Sequence, residues 1–225
     1  MELNSVVPWG RTLSEYREIF NLHHSDLEVS ILGCGDGPAS FNAELTQQGG
    51  EIVSIDPTYQ FDVESLKSRV SEVYDEVIPQ IIKNKDKYVW DSIKSVEELA
   101  KVRMSAMDIF ISDYDLGKQS GRYIYEYLPK LSFYDKQFDL ALCSHYLFLY
   151  SDHVNLEEHI ASVKELTRVA KEVRIYPLLS LDGNISPHLD EVISSLEALG
   201  LKVDLENVSY EFQKGATQML VIKTV

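Results

Sequence analysis

Val29-Ser30-Ile31-Leu32-Gly33-Cys34-Gly35-Asp36-Gly37-Pro38 combines a short apolar run with three alternate glycines. The run at 29–32 predicts a buried strand. Gly37 and Pro38 lie where a helix is expected to begin, because proline is favoured at the first helical position. The stretch therefore predicts a strand that enters a tight glycine turn and continues into a helix over 38–48.

A second strand follows at the spacing expected of a nucleotide site. Gly49-Gly50 is expected to end the helix, and Ile52–Ile55 predicts a buried strand that ends on the carboxylate of Asp56. An acid about 20 residues past the glycines is typical of doubly wound α/β folds, where it bonds ribose hydroxyls.

The spacing of the glycines argues against a dinucleotide. That fingerprint needs a third glycine at position 38, where this chain has Pro38, and Gly37 comes one place early. Asp36 also repels a pyrophosphate but not a cation. The turn resembles motif I of the class I S-adenosylmethionine-dependent methyltransferases, whose cofactor carries a positive sulfonium. A turn without a ligand is the alternative, and Asp56 favours the ligand.

The resemblance extends to the fourth strand. Leu131-Ser132-Phe133, a polar turn and the run Phe138–His145 are similar to the family's motif there, although the family usually has Leu-Pro-Phe. The resemblance covers roughly positions 29–145 and implies a cofactor site. The glycines would line the methionine part, Asp36 would meet its amino group, and Asp56 would accept from the ribose. The implied site comprises Gly33, Cys34, Gly35, Asp36, Gly37, Asp56, Pro57, Glu126, Tyr127 and Ser144, with Glu126 or Tyr127 beside the adenine and Ser144 at the transfer edge.

The catalytic candidate is His145, which would end a central strand. It is either a general base or a partly buried histidine that holds the next loop. Trp9 and Arg11 are candidates for a lid over the site. Alternatively, Trp9 fills an edge of the core and Arg11 is a surface charge. The full set of substrate or lid candidates is Trp9, Arg11, Tyr59, Asp113 and Tyr146.

The length of 225 residues favours one domain over 1–225. We expect an N-terminal lid and helix over 1–28, and a helical insertion over 58–121 that caps the substrate. Pro79 predicts a kink or break in its first helix. Residues 122–127 predict the third strand, and 201–212 with 218–224 predict a closing hairpin. The expected fold is a doubly wound, mostly parallel seven-stranded α/β sheet with an antiparallel last strand and this insertion between strands 2 and 3.

The amino-acid composition limits the classes of partner that we expect. The formal net charge is -15 and no Lys/Arg block occurs, so we expect neither nucleic acid nor an anionic membrane as a partner. Cys34 and Cys143 form no metal-binding pattern, so we expect no metal, and both are expected to be reduced. The sequence shows no leader or apolar span, so the cytoplasm is the expected compartment, with a monomer or homodimer as the oligomeric state.

These observations favour methyl transfer from S-adenosylmethionine to a small-molecule acceptor by in-line displacement, mainly through positioning. Three alternatives stay open: an NAD-dependent oxidoreductase, an aminopropyl transferase on the same fold, and a protein that binds the cofactor without catalysis.

Overall fold

The computed structural model describes residues 9–223, in which seven strands form one sheet. Their order is β3-β2-β1-β4-β5-β7-β6, and β7 runs antiparallel to the other six strands. The sheet confirms the predicted fold class. The strands are β1 (Ser30–Cys34), β2 (Glu51–Ile55), β3 (Tyr123–Ile124), β4 (Phe138–Ser144), β5 (Ala170–Tyr176), β6 (Lys202–Asn207) and β7 (Gln218–Lys223).

Six α-helices occur in the described residues, and apolar cores lie between the helices and the sheet. One core joins the sheet to α1 and α2, and another joins it to α5 and α6. This two-faced burial explains the nearly continuous apolar runs of the central strands. The helices are α1 (Leu13–Ile19), α2 (Phe41–Gln47), α3 (Val63–Lys83), α4 (Val96–Gln119), α5 (Leu156–Val169) and α6 (Leu189–Glu197).

The expected insertion is a helix pair, α3 and α4, between β2 and β3. Side chains of the two helices share an apolar cluster that includes Val73, Val77 and Leu99. Of the kink or break predicted at Pro79, the break does not occur, because α3 continues through it to Lys83. Burial of the α3 face against α4 outweighs the hydrogen bond that proline removes.

Several predicted boundaries also differ from the structure: β1 spans Ser30–Cys34 instead of 29–32, and β6 spans Lys202–Asn207 instead of 201–212. Two further differences lie near the cavity-lining turn and edge. Helix α2 begins at Phe41 rather than Pro38, because Gly37 and Pro38 form a turn that precedes Ser40, its N-cap residue. Strand β3 spans only Tyr123–Ile124 instead of 122–127. Both differences extend the irregular backbone at the carboxyl edge of the sheet, where a ligand is expected.

Candidate functional site

A cavity of about 220 Å³ lies at the carboxyl ends of β1, β2 and β4. Cys34 and Ser144 line it from the last residues of β1 and β4, and Asp56 lines it directly after β2. Nine of the ten residues of the implied cofactor site therefore come together: Cys34, Gly35, Asp36, Gly37, Asp56, Pro57, Glu126, Tyr127 and Ser144.

The glycine turn exposes backbone to this cavity. Gly35 and Gly37 have φ values of 70° and 52°, which residues with a Cβ rarely adopt. A Cβ on Gly35 would stand 3.0 Å from Cβ of Tyr146. The turn is held by Gly35 N–H, which donates to the Ile55 carbonyl at 3.0 Å.

Gly33 is the member of the implied set that does not line the cavity. It lies within β1, and a Cβ there would collide with the carboxylate of Asp36. We therefore replace the expected contact of Gly33 with the cofactor by a packing role. Its missing side chain makes room for a buried acid.

Asp36 is 7% exposed and is held by two hydroxyl groups. Tyr16 Oη donates to its Oδ1 at 2.7 Å, and Ser54 Oγ donates to its Oδ2 at 2.6 Å. Burial raises the pKa of Asp36 to about 6, although both hydrogen bonds oppose this shift. Each of its oxygens accepts one hydrogen bond, so about two of its four acceptor sites remain, and the direct contact with the cofactor's amino group that the sequence suggests stays a prediction.

Asp56 anchors the turn from the neighbouring strand. Its Oδ2 accepts from Gly37 N–H at 2.9 Å, and its Oδ1 accepts from both the N–H and the hydroxyl of Thr58. A carboxylate offers about four acceptor sites, so about one remains for a ligand hydroxyl. Burial raises the pKa of Asp56, and these hydrogen bonds oppose the shift.

A second cavity, of about 120 Å³, adjoins the first. Trp9, Arg11 and His145 line both cavities. The second cavity reaches under α3, which contributes Val77 and Ile81, and it is rich in aromatic side chains: Trp9, Tyr88, Tyr150, Tyr176 and Phe212.

His145 lies where the two cavities meet. Its φ is 51°, and its N–H donates to the Tyr176 carbonyl at 2.7 Å. Its Nδ1 is 2.9 Å from Ser144 Oγ. Burial lowers the pKa of His145 well below its ordinary value, and the charges of Arg11 and Arg103 add to this shift. The imidazole is therefore neutral at neutral pH, and the same causes make it a weaker base than a free imidazole.

The structure does not bring two of the substrate candidates to either cavity. Tyr59 is fully buried in an aromatic cluster, and its hydroxyl donates to the Gly37 carbonyl at 2.8 Å. Asp113 forms an ion pair with Arg122 at 2.8 Å and accepts from Tyr123 Oη. Tyr59 thus supports the turn from behind, and Asp113 fixes α4 to β3, so both are withdrawn as substrate contacts. Trp9, Arg11 and Tyr146 remain.

Sequence reasoning missed Arg103, which lines the second cavity and has no exposed surface. It lies four residues after Leu99 and four before Met107, on the buried face of α4. A cation on an apolar helical stripe is the signal that identifies such a residue.

Two absences concern the described part of the chain. Within residues 9–223 no three His, Cys, Asp or Glu side chains are grouped so that they could hold a metal ion. Over the same range no helix combines the length and the apolar character that crossing a membrane requires.

The strand order, the single reversed strand and the cavity at the carboxyl edge define the fold of the class I S-adenosylmethionine-dependent methyltransferases. Among similar solved structures is a SAM-dependent methyltransferase from Aquifex aeolicus, with 16% identity, coverage of 94% of this chain and 97% of that chain, and a TM-score of 0.46. Another is WbdD, with 13% identity and a TM-score of 0.50, where the match covers 94% of this chain and 40% of that chain.

A curated relative is much closer in sequence. The uncharacterized protein MJ0045 of Methanocaldococcus jannaschii is 33% identical over 224 residues, which cover 99% of this chain and 98% of that protein. The chain belongs to the same family as MJ0045. No protein-family model matches it.

Proposed function

We propose that the protein transfers a methyl group from S-adenosylmethionine to a small-molecule acceptor. One observation carries the proposal: the cavity lined by the glycine turn and Asp56 meets a second, mostly apolar cavity at His145. The first cavity suits a cofactor and the second suits an acceptor, since reacting groups must approach each other where the two adjoin.

The residues of the first cavity fit the cofactor. The missing Cβ of Gly35 leaves room for Tyr146 in the wall of this cavity, and Asp56 retains about one acceptor site for a ribose hydroxyl. Glu126, which accepts from Ser132 N–H at 3.0 Å, and the half-exposed Tyr127 form the far wall. The buried carboxylates of Asp36 and Asp56 favour a cationic ligand over a pyrophosphate.

S-adenosylmethionine, when bound, would supply a methyl group on a positive sulfur: the acceptor atom would bond to the methyl carbon, the carbon–sulfur bond would break with S-adenosylhomocysteine as the leaving group, and the acceptor would give up a proton. The protein's part is to align the reactants and to exclude water. His145, neutral and at the junction, is placed to accept the proton through a ring nitrogen. The α3–α4 insertion, with Val77, Ile81 and Arg103 on the acceptor cavity, is proposed as the cap that selects the substrate.

The alternatives fit this arrangement less well. An oxidoreductase would place the NAD pyrophosphate beside Asp36 and Asp56. An aminopropyl transferase takes a cationic amine, whereas the charged side chains of the second cavity are Arg11 and Arg103. A binding protein without catalysis would bind the cofactor and show no turnover. We further propose that the protein is cytoplasmic and is a monomer or homodimer. Nucleic acids and membranes are not its proposed partners.

The proposal predicts the effect of filling the glycine turn. In Gly35→Ala the new Cβ would press on Tyr146 and would occupy a backbone conformation with φ of 70°. We expect the affinity for S-adenosylmethionine and S-adenosylhomocysteine to fall at least tenfold, measured by isothermal titration calorimetry.

Gly49→Ala is the matched control. Gly49 has φ of 87°, but a Cβ there meets nothing within 4 Å, and it lies outside both cavities. Both variants pay a similar backbone cost of about 1 kcal/mol in stability, and only Gly35→Ala should lose affinity. Tight binding of NAD, or absence of binding of both adenosyl ligands to the unmodified protein, would refute the proposal.

A further inference from the structure

The acceptor cavity has an unusual electrostatic character. Its lining is mostly apolar and aromatic, yet its charged members are two arginines, Arg11 and Arg103. Buried cations normally have a charged partner, since an uncompensated charge in a low dielectric is costly. The partners of these two groups therefore indicate what the cavity accepts.

Arg103 is only partly paired. Its Nη1 donates to Glu15 Oε2 at 2.6 Å, and its side chain is 1% exposed. Its Nε and Nη2 are buried and have no partner in hydrogen-bond geometry within the described residues, although the Tyr210 hydroxyl lies near enough to raise the pKa of Arg103. A guanidinium has five N–H donors in a planar fork, so this unpaired edge is suited to a second, planar anion.

Glu15 cannot serve both arginines. It also accepts from Tyr210 Oη at 3.0 Å through Oε1, and from Thr12 N–H at 3.1 Å through Oε2. Arg11 donates to the Trp9 carbonyl, which is uncharged, and its buried Nε has no partner among residues 9–223. Two cations thus face one anion. Burial and the charge of Arg103 lower the pKa of Arg11, as expected for this excess.

We propose that the methyl acceptor carries a carboxylate, held by the unpaired edge of Arg103 with Arg11 beside it, on a flat apolar or aromatic body. The aromatic side chains of the cavity pack on that body, and the carboxylate neutralises the excess charge. This inference rests on the proposed function and names its substrate class. The carboxylate is the anchor, and the methylated atom belongs to the part of the acceptor that reaches His145.

The test compares matched acids and amides. Probes are 4-hydroxybenzoate with 4-hydroxybenzamide and indole-3-acetate with indole-3-acetamide, titrated into the protein with and without saturating S-adenosylhomocysteine. At least one acid should bind ten times more tightly than its amide, as expected for a charge-assisted bidentate contact. Equal binding of acids and amides, or no binding of any probe at millimolar concentration, overturns the inference.

Two variants assign the preference to Arg103. Arg103→Lys keeps a cation beside Glu15 but lacks the planar fork, and it should reduce the preference for acids at least fivefold. The double variant Glu15→Gln with Arg103→Met removes both members of the ion pair, so neither is left without the other, and it should reduce the preference further, to what Arg11 alone provides. Arg122→Lys, which alters the ion pair with Asp113 outside both cavities, is the matched control and should retain it.

The cofactor's own carboxylate is the competing source of the anion. S-adenosylhomocysteine contains it and 5′-methylthioadenosine does not. Should the Arg103 variants weaken S-adenosylhomocysteine alone, the anchor would serve the cofactor and the inference would fail while the proposed function stood. Should the unmodified protein bind neither adenosyl compound but still prefer the acids, the proposed function would fail instead.

Discussion

At the scale of single residues, the choice of residues in the glycine turn is explained by the buried carboxylate of Asp36 as much as by a ligand. Gly33 is small because the Asp36 carboxylate occupies the space of its side chain, and Tyr16 and Ser54 hold that carboxylate in place. The negative charge therefore lies under the cofactor cavity at a fixed position. It should oppose folding and favour a cationic ligand.

Replacing this acid changes how stability depends on pH. The pKa of Asp36 is about 6 in the folded protein against an ordinary value of 3.8, so below pH 4 the group is protonated in both states. Above pH 6 the folded protein must hold it ionised, which costs about 3 kcal/mol. The free energy of unfolding of the unmodified protein, minus that of Asp36→Asn, should therefore fall by up to this amount between pH 4 and 7.

Urea unfolding across that pH range measures this difference. Asp182→Asn serves as a control whose difference should stay nearly constant between pH 4 and 7, because hydrogen bonds from the backbone and side chain of Asn184 and from Ser180 lower the pKa of Asp182 to about 2, so its contribution is lost only below pH 4. A difference for Asp36→Asn that stays constant or rises with pH would show that Asp36 is not a buried, strained acid.

At the scale of elements, an ion pair joins the first helix to the insertion. Glu15 of α1 and Arg103 of α4 are 88 positions apart, and their side chains are 10% and 1% exposed. Burial raises the pKa of Glu15, but the positive charge and the hydrogen bond of Arg103 outweigh this effect and lower that pKa to about 2. The pair therefore fixes the wall of the acceptor cavity to the main domain.

Removal of one partner should destabilise the protein more than removal of both. Glu15→Gln leaves the charge of Arg103 buried and uncompensated, and we expect a loss of about 3 kcal/mol at pH 7, whereas Glu15→Gln with Arg103→Met should lose less. Because the pKa of Glu15 is depressed, its contribution is present above pH 4.5 and is lost as pH falls toward 2. Chemical unfolding of the single and double variants measures both effects. A double variant that is as unstable as the sum of the singles would contradict the coupling.

The sequence allowed the sheet and the cavity at its carboxyl edge to be predicted, because strand periodicity, glycine spacing and the acid after β2 are local signals. The places of Tyr59 and Asp113 could not be read in this way, since their partners Gly37 and Arg122 become neighbours only after folding. The partnership of Arg103 with Glu15 is likewise long-range. Pro79 shows the same limit, because a local preference yielded to packing of α3 on α4.

At the scale of the whole molecule, the charge distribution opposes the proposed acceptor at long range and favours it at short range. The chain carries a formal net charge of -15, whereas the charged lining of the acceptor cavity is two arginines. An anion is thus repelled by the protein as a whole before it reaches the guanidinium groups. Salt separates these two effects, because it screens distant charges more than buried pairs.

The association rate of an anionic ligand should therefore rise with ionic strength. Between 10 and 150 mM salt the Debye length falls from about 30 to about 8 Å. The association rate constant of 4-hydroxybenzoate should rise a few-fold over this range, while that of 4-hydroxybenzamide should stay constant. Stopped-flow fluorescence can follow both, because Trp9 lines the cavity. A rate that falls with salt would mean that the positive field of the arginines extends to the entrance, and that the net charge does not govern access.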